Sequence, residues 1–333
     1  MRVALALGSG GARGYAHIGV LNELRERGHE VVGIAGSSMG ALVGGLEAAG
    51  KTDEFTLWAT SLTQRAVLRL LDPSISSPGV LRAEKILESV RDILGEVTIE
   101  DLPIPYTSVA TDLITGKSVW MQRGRVDDAI RASIAIPGLI TPHVLGGRLL
   151  ADGGILDPLP MAPIAAAPAD ITIAVSLSGE DPAVDRRMQD LRQPTTDWLS
   201  RMWRSSSSLL DTKAARSLLE TPTGRAVLGR FVAADDEPID APPEVVKHDS
   251  ADATGVPELP RLGSFEVMNR VIDIAQSALA RHTLAAYPPD LLIEVPRTVC
   301  RSLDFHRAHE VIEIGQELAS AALEALDPEP SEA

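Results

Sequence analysis

The chain has 333 residues, and its 46 acidic side chains outnumber its 31 lysines and arginines, which gives a formal net charge of −15. This charge disfavours sequence-independent nucleic-acid binding and attraction of the whole surface to anionic membranes. The single cysteine excludes an intramolecular disulfide, and no apolar run approaches the ~18 residues of a transmembrane helix, so we expect a soluble cytoplasmic protein.

The first fifty residues alternate between strand and helix patterns. Short apolar runs at 3–7 and 31–35 are typical of buried strands, and each leads into a glycine-containing turn. The amphipathic stretch 13–27 and the Ala-rich stretch 39–49 predict helices that each end at a glycine. This alternation predicts an α/β fold with a mainly parallel sheet.

The later elements follow the same two periodicities, but a polar and then Pro-rich, acidic region begins after residue 179. Within it, residues 233–260 are expected to form a poorly ordered loop. The remaining predicted helices are at 81–94, 126–135, 264–286 and 306–325, and the remaining predicted strands are at 106–112, 117–121, 148–151, 171–178 and 291–295.

A G-x-S-x-G pentapeptide, Gly36-Ser37-Ser38-Met39-Gly40, lies between the second predicted strand and the second predicted helix. At such a junction the flanking glycines permit a strained turn that exposes the central hydroxyl. The first amides of the following helix favour negative charge that develops beside it. Ser38 is therefore the candidate nucleophile, and the alternative is a tight turn without chemistry.

A glycine-rich loop of sequence GSGGARG, residues 8–14, follows the first predicted strand. It fails the dinucleotide fingerprint G-x-G-x-x-G because Arg13 stands where the third glycine should be. A phosphate-binding nest is one alternative. An oxyanion hole for Ser38 is favoured, because parallel strands place both loops at one edge of the sheet. Arg13 either orients the loop, meets a phosphate head group, or is a solvent-facing or structural arginine. The candidate oxyanion residues are Gly10, Gly11, Ala12, Arg13 and Gly14.

The candidate base is Asp152, which is followed by Gly153 and Gly154. An aspartate held by flexible glycines can approach a nucleophile closely. If Ser38 and the glycine-rich loop were absent, an ordinary β-turn would be the better interpretation of Asp-Gly. Serine hydrolases more often use histidine, but none of the seven histidines has a distinctive setting, and His17 is expected to be a packed helix residue. No histidine pair has the H-E-x-x-H arrangement, so no metal and no cofactor are expected.

Residues 45–52 match G-x-x-x-x-G-K-[ST], the string of a P-loop. A P-loop joins a strand to a helix, whereas these residues continue the predicted helix 39–49 and end it at Gly50. Nucleotide binding is therefore not expected.

In this order and combination, four stretches resemble the patatin-like phospholipase family, including bacterial members related to the esterase domain of neuropathy target esterase. They are the loop 10–14, the pentapeptide 36–40, the sequence ASIAIPG at 132–138, and Asp-Gly-Gly at 152–154. The resemblance covers residues 2–178, and a C-terminal piece at 265–315 adds to it.

The resemblance implies a three-layer α/β/α fold, a catalytic dyad of Ser38 and Asp152 without histidine, and an oxyanion loop at 10–14. The glycines that would support these motifs are Gly36, Gly40, Gly153 and Gly154. Asp157 departs from the family pattern, because similar proteins usually carry Asn before this proline. A second buried carboxyl near Asp152 would raise the pKa of a neighbouring carboxyl.

The function that the resemblance implies is a serine lipid acyl hydrolase that acts on a lipid or fatty-acyl ester, as a phospholipase, lysophospholipase or carboxylesterase. The alternatives are an acyltransferase or thioesterase with the same dyad, and a catalytically silent regulatory protein on the same fold. The predicted parts of the chain are the catalytic core 1–179, an insertion 180–262, a helix–strand–helix unit 263–326 that completes the core, and a disordered tail 327–333.

Within the insertion, segment 186–230 is basic and carries Trp198 and Trp203. A basic amphipathic helix with tryptophan can lie in a membrane interface, which would give peripheral membrane contact, or it can cover an acyl site as a lid. The alternative is a helix that packs on the main domain or on a dimer partner. The sequence does not predict the oligomeric state.

Overall fold

The structure, a computed structural model, describes residues 1–70, 84–137, 140–179 and 264–326, and these belong to one compact unit. The predictions for 186–230, 233–260 and 327–333 lie outside the described residues. Within the described ranges, no helix is both long enough and apolar enough to cross a membrane.

The described residues form eight strands and eight α-helices, and the predicted α/β class is confirmed. The strands are β1 Arg2–Leu7, β2 Glu30–Ser37, β3 Tyr106–Asp112, β4 Lys117–Met121, β5 His143–Leu145, β6 Arg148–Asp152, β7 Ile171–Gly179 and β8 Leu291–Pro296. The helices are α1 Ala16–Glu26, α2 Met39–Ala48, α3 Thr52–Thr60, α4 Gln64–Leu70, α5 Glu84–Leu94, α6 Val126–Ser133, α7 Ser264–Ala286 and α8 Ala308–Leu326.

Three features of the first half differ from the predicted elements. The helix expected over 13–27 begins as a 3-10 turn, Gly11–Tyr15, and becomes α-helical only in α1. The short helices α3 and α4 were not predicted, and neither was β5. Each of these elements is short, so its hydrophobic periodicity is too brief to be read from the sequence.

The strands form a mixed sheet in the order β5-β6-β3-β2-β1-β7-β8, with β4 paired to β3. Five of them, β1, β2, β3, β7 and β8, are joined by parallel pairing. Strand β3 pairs with β2 through residues 106–109 and with β6 through residues 110–112. The ends of β2 and β6, which carry the candidate nucleophile and base, therefore meet at the middle of β3.

Strand β1 shows why helices cover both faces of the sheet. Its larger side chains, Val3, Leu5 and Leu7, belong to the main core, where α1, α2, α6 and α8 pack. Its small side chains, Ala4 and Ala6, belong to a second core that includes residues of α7. Because successive strand residues face opposite sides, one short strand serves both layers, and the three-layer arrangement follows.

Helices α1 and α8 cross at close range through two glycines. A Cβ at Gly19 would overlap the backbone of α8 at Ile312, and a Cβ at Gly315 would overlap the carbonyl of Ala16. The C-terminal helix thus packs directly on the helix that follows the glycine-rich loop. This contact helps to fix the position of that loop at the edge of the sheet.

Candidate active site

Ser38 occupies a strained turn between β2 and α2. Its φ of 55° and ψ of −119° make it the one non-glycine residue with positive φ among those that the structure describes. Such a conformation costs of order 1–3 kcal/mol and persists only where the surroundings enforce it. The glycines on either side of Ser38 pack closely, because a Cβ at Gly36 or Gly40 would overlap backbone atoms.

The side chains of Ser38 and Asp152 meet, although they are 114 residues apart in sequence. The Ser38 hydroxyl donates to Asp152 Oδ2 at 2.5 Å, and the other carboxylate oxygen accepts from the Gly154 amide at 2.7 Å. The Asp152 amide itself donates to the carbonyl of Ala135 at 2.9 Å. Ser38 and Asp152 are only 3% and 2% exposed, so the pair is shielded from water.

Burial controls the acidity of Asp152. Loss of hydration raises the pKa of its carboxyl to about 6, and the hydrogen bonds from Ser38 and Gly154 offset part of this rise. Near neutral pH the carboxylate is therefore ionised, yet much more basic than an exposed aspartate. A general base is most effective with a pKa near the working pH, and Asp152 meets that condition.

Asp157 lies close to the base in sequence, and its backbone amide donates to the Gly153 carbonyl at 2.9 Å. Burial also raises the pKa of the Asp157 carboxyl to about 6. The raised pKa of Asp152, however, arises from its own desolvation rather than from the charge of this neighbour. The charge of Asp157 therefore does not account for the raised pKa of Asp152.

The glycine-rich loop presses against the start of α2. A Cβ at Gly14 would overlap the side chain of Met39, and one at Gly10 would stand only 2.5 Å from Leu177 Cβ. The amide of Ala12 differs from the expectation for an oxyanion donor, because it donates to the Ser302 carbonyl at 2.9 Å.

Arg13 holds this loop from within. Its side chain is buried, so the solvent-facing alternative is wrong. The guanidinium donates to the carbonyls of Gly10 and Leu177 at 3.0 and 3.2 Å, and to the side chains of Asp273 and Ser302 at 3.0 and 3.3 Å. All three of its nitrogens are engaged with protein groups, which favours the loop-orienting role over contact with a phosphate head group.

An apolar cavity of about 70 Å³ opens beside Ser38. Aromatic rings form part of its wall: Tyr15 packs edge-on against Phe305, and Phe55 lies against Trp58. The lining residues are Gly11, Tyr15, Ser38, Met39, Leu42, Phe55, Trp58, Leu62, Val67, Ile86, Ile134, Ile136, Ile140 and Phe305. An apolar lining of this kind suits a hydrocarbon chain.

The sequence model of the patatin-like phospholipase family matches residues 5–165, a range that contains Ser38 and Asp152. A protein of the NTE family from Mycobacterium tuberculosis is 65% identical over 339 residues, which cover 99% of this chain and 94% of that protein. The chain belongs to the patatin-like phospholipase family.

Two other relatives share a shorter region with this patatin-like protein. A second NTE family protein of Mycobacterium tuberculosis is 38% identical over 158 residues, covering 47% of this chain and 27% of its own length. Neuropathy target esterase sws of Drosophila melanogaster is 32% identical over 186 residues, covering 54% of this chain and 13% of that protein.

Among the described residues of this patatin-like protein, the side chains hydrogen-bonded to Ser38 are those of Ser133 and Asp152, and neither is a histidine. His17 is fully buried, as expected of a packed helix residue, and its Nε2 lies 2.9 Å from the Gly8 carbonyl. Burial lowers the pKa of His17 to about 4, so the ring is neutral near pH 7. The hydrogen-bond partner of the Ser38 hydroxyl is Asp152.

Several residues around the site are not predicted from the sequence. Asp273 and Ser302, which bind Arg13, lie 260 and 289 residues from it in sequence. Ser133, whose hydroxyl accepts from the Ser38 amide, stands out in the sequence only as part of the stretch 132–138. Asp273 and Ser302 have no local signal, because each acts through a partner that is remote in the chain.

Proposed function

We propose that this patatin-like protein is a serine lipid acyl hydrolase with Ser38 as nucleophile and Asp152 as general base. The observation that carries the proposal is the 2.5 Å hydrogen bond from the Ser38 hydroxyl to a buried carboxylate, beside an apolar cavity. Membership of a phospholipase family that includes esterases supports the same reaction class.

In the first half of the reaction, Asp152 accepts the hydroxyl proton while Ser38 Oγ attacks the ester carbonyl. The tetrahedral intermediate collapses, the bond to the alcohol oxygen breaks, and the alcohol leaves with the proton from Asp152. In the second half, water loses a proton to Asp152 and attacks the acyl-enzyme. Collapse of that intermediate releases the fatty acid, and the proton returns to Ser38.

The negative charge on the carbonyl oxygen needs donors that are already in place. Ser38 stands at the N-terminus of the ten-residue helix α2, whose dipole favours an anion there. Gly11 lines the same cavity as Ser38, and its φ of 59° is open to glycine without strain. We assign the oxyanion to amides of the loop 10–14 other than that of Ala12, which is bonded to Ser302.

The lining of the cavity supports a lipid as the substrate. Apart from Ser38, the phenol of Tyr15 and the indole of Trp58, its side chains carry no polar group, so the part of the substrate bound there is hydrocarbon. We infer that an acyl chain bound there places its ester carbonyl next to the Ser38 hydroxyl, because Ser38 lines the same cavity. The leaving group is then the alcohol portion of a lipid or other fatty-acyl ester.

The test is hydrolysis of short and medium p-nitrophenyl esters by wild type, Ser38→Ala and Asp152→Asn, with folding checked by circular dichroism. Both variants should remain folded and lose about 10³-fold or more of kcat, as expected when a nucleophile or its base is removed. Asp157→Asn is the matched control, since it removes a neighbouring carboxyl of similar pKa, and its kcat should stay within about fivefold of wild type.

The outcomes separate the parts of the proposal. Full activity of Asp152→Asn would place the base elsewhere. Activity lost equally in Asp157→Asn would mean that both carboxyls take part. A folded wild type that neither hydrolyses any of these esters nor reacts with a fluorophosphonate would overturn the proposed function as a whole.

A further inference from the structure

Ser133 joins the nucleophile turn to strand β3 through its side chain. It is the last residue of α6 and is fully buried. Its hydroxyl oxygen accepts from the Ser38 amide at 2.9 Å, and the same hydroxyl donates to the Val109 carbonyl at 2.5 Å. One hydroxyl thus satisfies a donor and an acceptor of the main chain at the point where β2 ends.

The register of the sheet shows what this hydroxyl replaces. Strands β2 and β3 pair in parallel, and the Ile34 amide donates to the Pro105 carbonyl at 2.9 Å. In a parallel ladder the bonds recur every two residues, so the same pairing carried four residues further would join the Ser38 amide directly to the Val109 carbonyl. Instead the Ser133 hydroxyl stands between these two groups.

Insertion of a side chain at this last rung moves the end of β2 away from β3. The backbone of Ser38 then departs from the strand conformation to φ 55°, at a cost of order 1–3 kcal/mol. Without the hydroxyl, the Ser38 amide would be free to bond the Val109 carbonyl and relax toward a regular strand. The hydroxyl therefore favours the turn that presents Oγ to Asp152.

The same short segment also holds the base. Two residues beyond Ser133, the Ala135 carbonyl accepts from the Asp152 amide at 2.9 Å. Gly153, the residue after Asp152, packs so tightly over Val109 that a Cβ at Gly153 would overlap the Val109 carbonyl. Segment 133–135 thus contacts the main chain of both members of the dyad, one through a hydroxyl and the other through a carbonyl.

We propose that Ser133 is a positioning residue, whose hydroxyl sets the Ser38 turn and, with the Ala135 carbonyl, fixes the separation of Ser38 and Asp152. This inference rests on the proposed function of the dyad. Displacement of a reacting group by about 1 Å can cost about 10²-fold in rate, so the Ser133 hydroxyl should control kcat although it touches no substrate.

The test compares Ser133→Ala with the matched control Ser108→Ala. Ser108 is also fully buried, lies on β3, and donates to the Ala129 carbonyl of α6 at 3.1 Å, and its hydroxyl is not among the described hydrogen-bond partners of Ser38 and Asp152. Each variant removes one buried hydroxyl between the same strand and helix. Both should lower the midpoint of urea unfolding, whereas only a positioning role makes their catalysis differ.

For Ser133→Ala we expect kcat to fall about 10²-fold with KM within about threefold of wild type, and the rate of fluorophosphonate labelling to fall in parallel. Ser108→Ala should keep kcat within about threefold of wild type. Ser133→Cys, which retains a weak donor and acceptor, should lie between wild type and alanine, and it carries the test if Ser133→Ala does not fold. Catalysis of folded Ser133 variants within threefold of wild type would overturn the positioning role.

Hydrogen exchange at the Ser38 amide separates this inference from the proposed function, because it needs no activity. The exchange rate should change in Ser133→Ala, because the amide loses the hydroxyl as its acceptor and either bonds the Val109 carbonyl or is left unbonded, and it should stay close to wild type in Ser108→Ala. An inert wild type with this difference would refute the hydrolase and leave the turn-setting contact standing. An active wild type without the difference, and with kcat retained in Ser133→Ala, would refute the positioning role alone.

Discussion

Replacement of Asp152 by Asn should make the protein inactive and, at neutral pH, more stable. The folded state holds this carboxyl at a pKa of about 6, against an ordinary value of 3.8, because burial disfavours the charged form. A difference of about two pKa units corresponds to about 3 kcal/mol that opposes folding when the group is ionised. Asparagine is uncharged, so the variant does not carry this cost.

The sign of the pH dependence follows from the same numbers. Because the folded pKa is raised, the folded protein binds the proton more tightly than the unfolded chain does. Below about pH 3.8 the group is protonated in both states and the cost is absent. It develops as pH rises and is complete once pH exceeds about 6. The stability advantage of Asp152→Asn should therefore grow from near zero at pH 4 to about 2–3 kcal/mol at pH 8.

Urea unfolding of wild type and Asp152→Asn from pH 4 to pH 8 measures this advantage as a difference, in which the other titrating groups cancel. The asparagine can still accept from the Gly154 amide and can donate to the Ser38 oxygen, so the local hydrogen bonds have substitutes. Ser38→Ala is the control: it keeps the carboxyl and removes a hydrogen bond that lowers its pKa, so its stability relative to wild type should fall rather than rise as pH increases. A stability difference for Asp152→Asn that is flat across this range would refute the raised pKa.

The remaining predictions concern the rate, the loop, the turn and the cavity. The kcat/KM of wild type should rise about tenfold per pH unit below pH 6 and level off above it, because Asp152 must be ionised to act as base. A kcat/KM that is constant from pH 5 to 8 would contradict this. Arg13→Lys should lower kcat about tenfold or more with KM little changed, since an ammonium cannot make the four hydrogen bonds of the guanidinium. Unchanged kinetics of ester hydrolysis would exclude the loop-orienting role. Gly40→Ala should lower the free energy of unfolding in urea by about 3 kcal/mol or more, because its Cβ would overlap the carbonyl at the end of β1. In the control Gly50→Ala the new Cβ meets no atom, so the loss should be about 1 kcal/mol. Equal losses would show that close packing is not the cause. Leu42→Trp should narrow the cavity and lower kcat/KM for medium-chain esters about tenfold more than for the acetate ester; equal losses for both would place the acyl chain elsewhere.

Local patterns in the sequence were enough to identify the fold class and the two residues at the centre of the candidate site. Strand–turn–helix junctions are encoded by short-range features: apolar runs, glycines and helix stops. Since parallel strands bring their carboxyl ends to one edge, the amino-acid sequence by itself places the loop 10–14 beside Ser38. Asp152 is recognisable because its glycines, like those of the other two motifs, allow close approach of the backbone.

The tertiary structure decided everything that depends on partners remote in the chain. Burial of Asp152 among packed elements sets its pKa, and no property of the residues beside it in sequence reveals that burial. The apolar cavity is lined by residues of the turn Gly11–Tyr15, of α2, α3, α4 and α5, of the segment after α6, and by Phe305. The ion pair of Arg13 with Asp273, and the Ser133 hydroxyl between two strands, likewise exist only once distant segments pack together. Conformational preferences are local and can be read along the chain, whereas solvation and side-chain contacts are set by what the folded chain brings alongside.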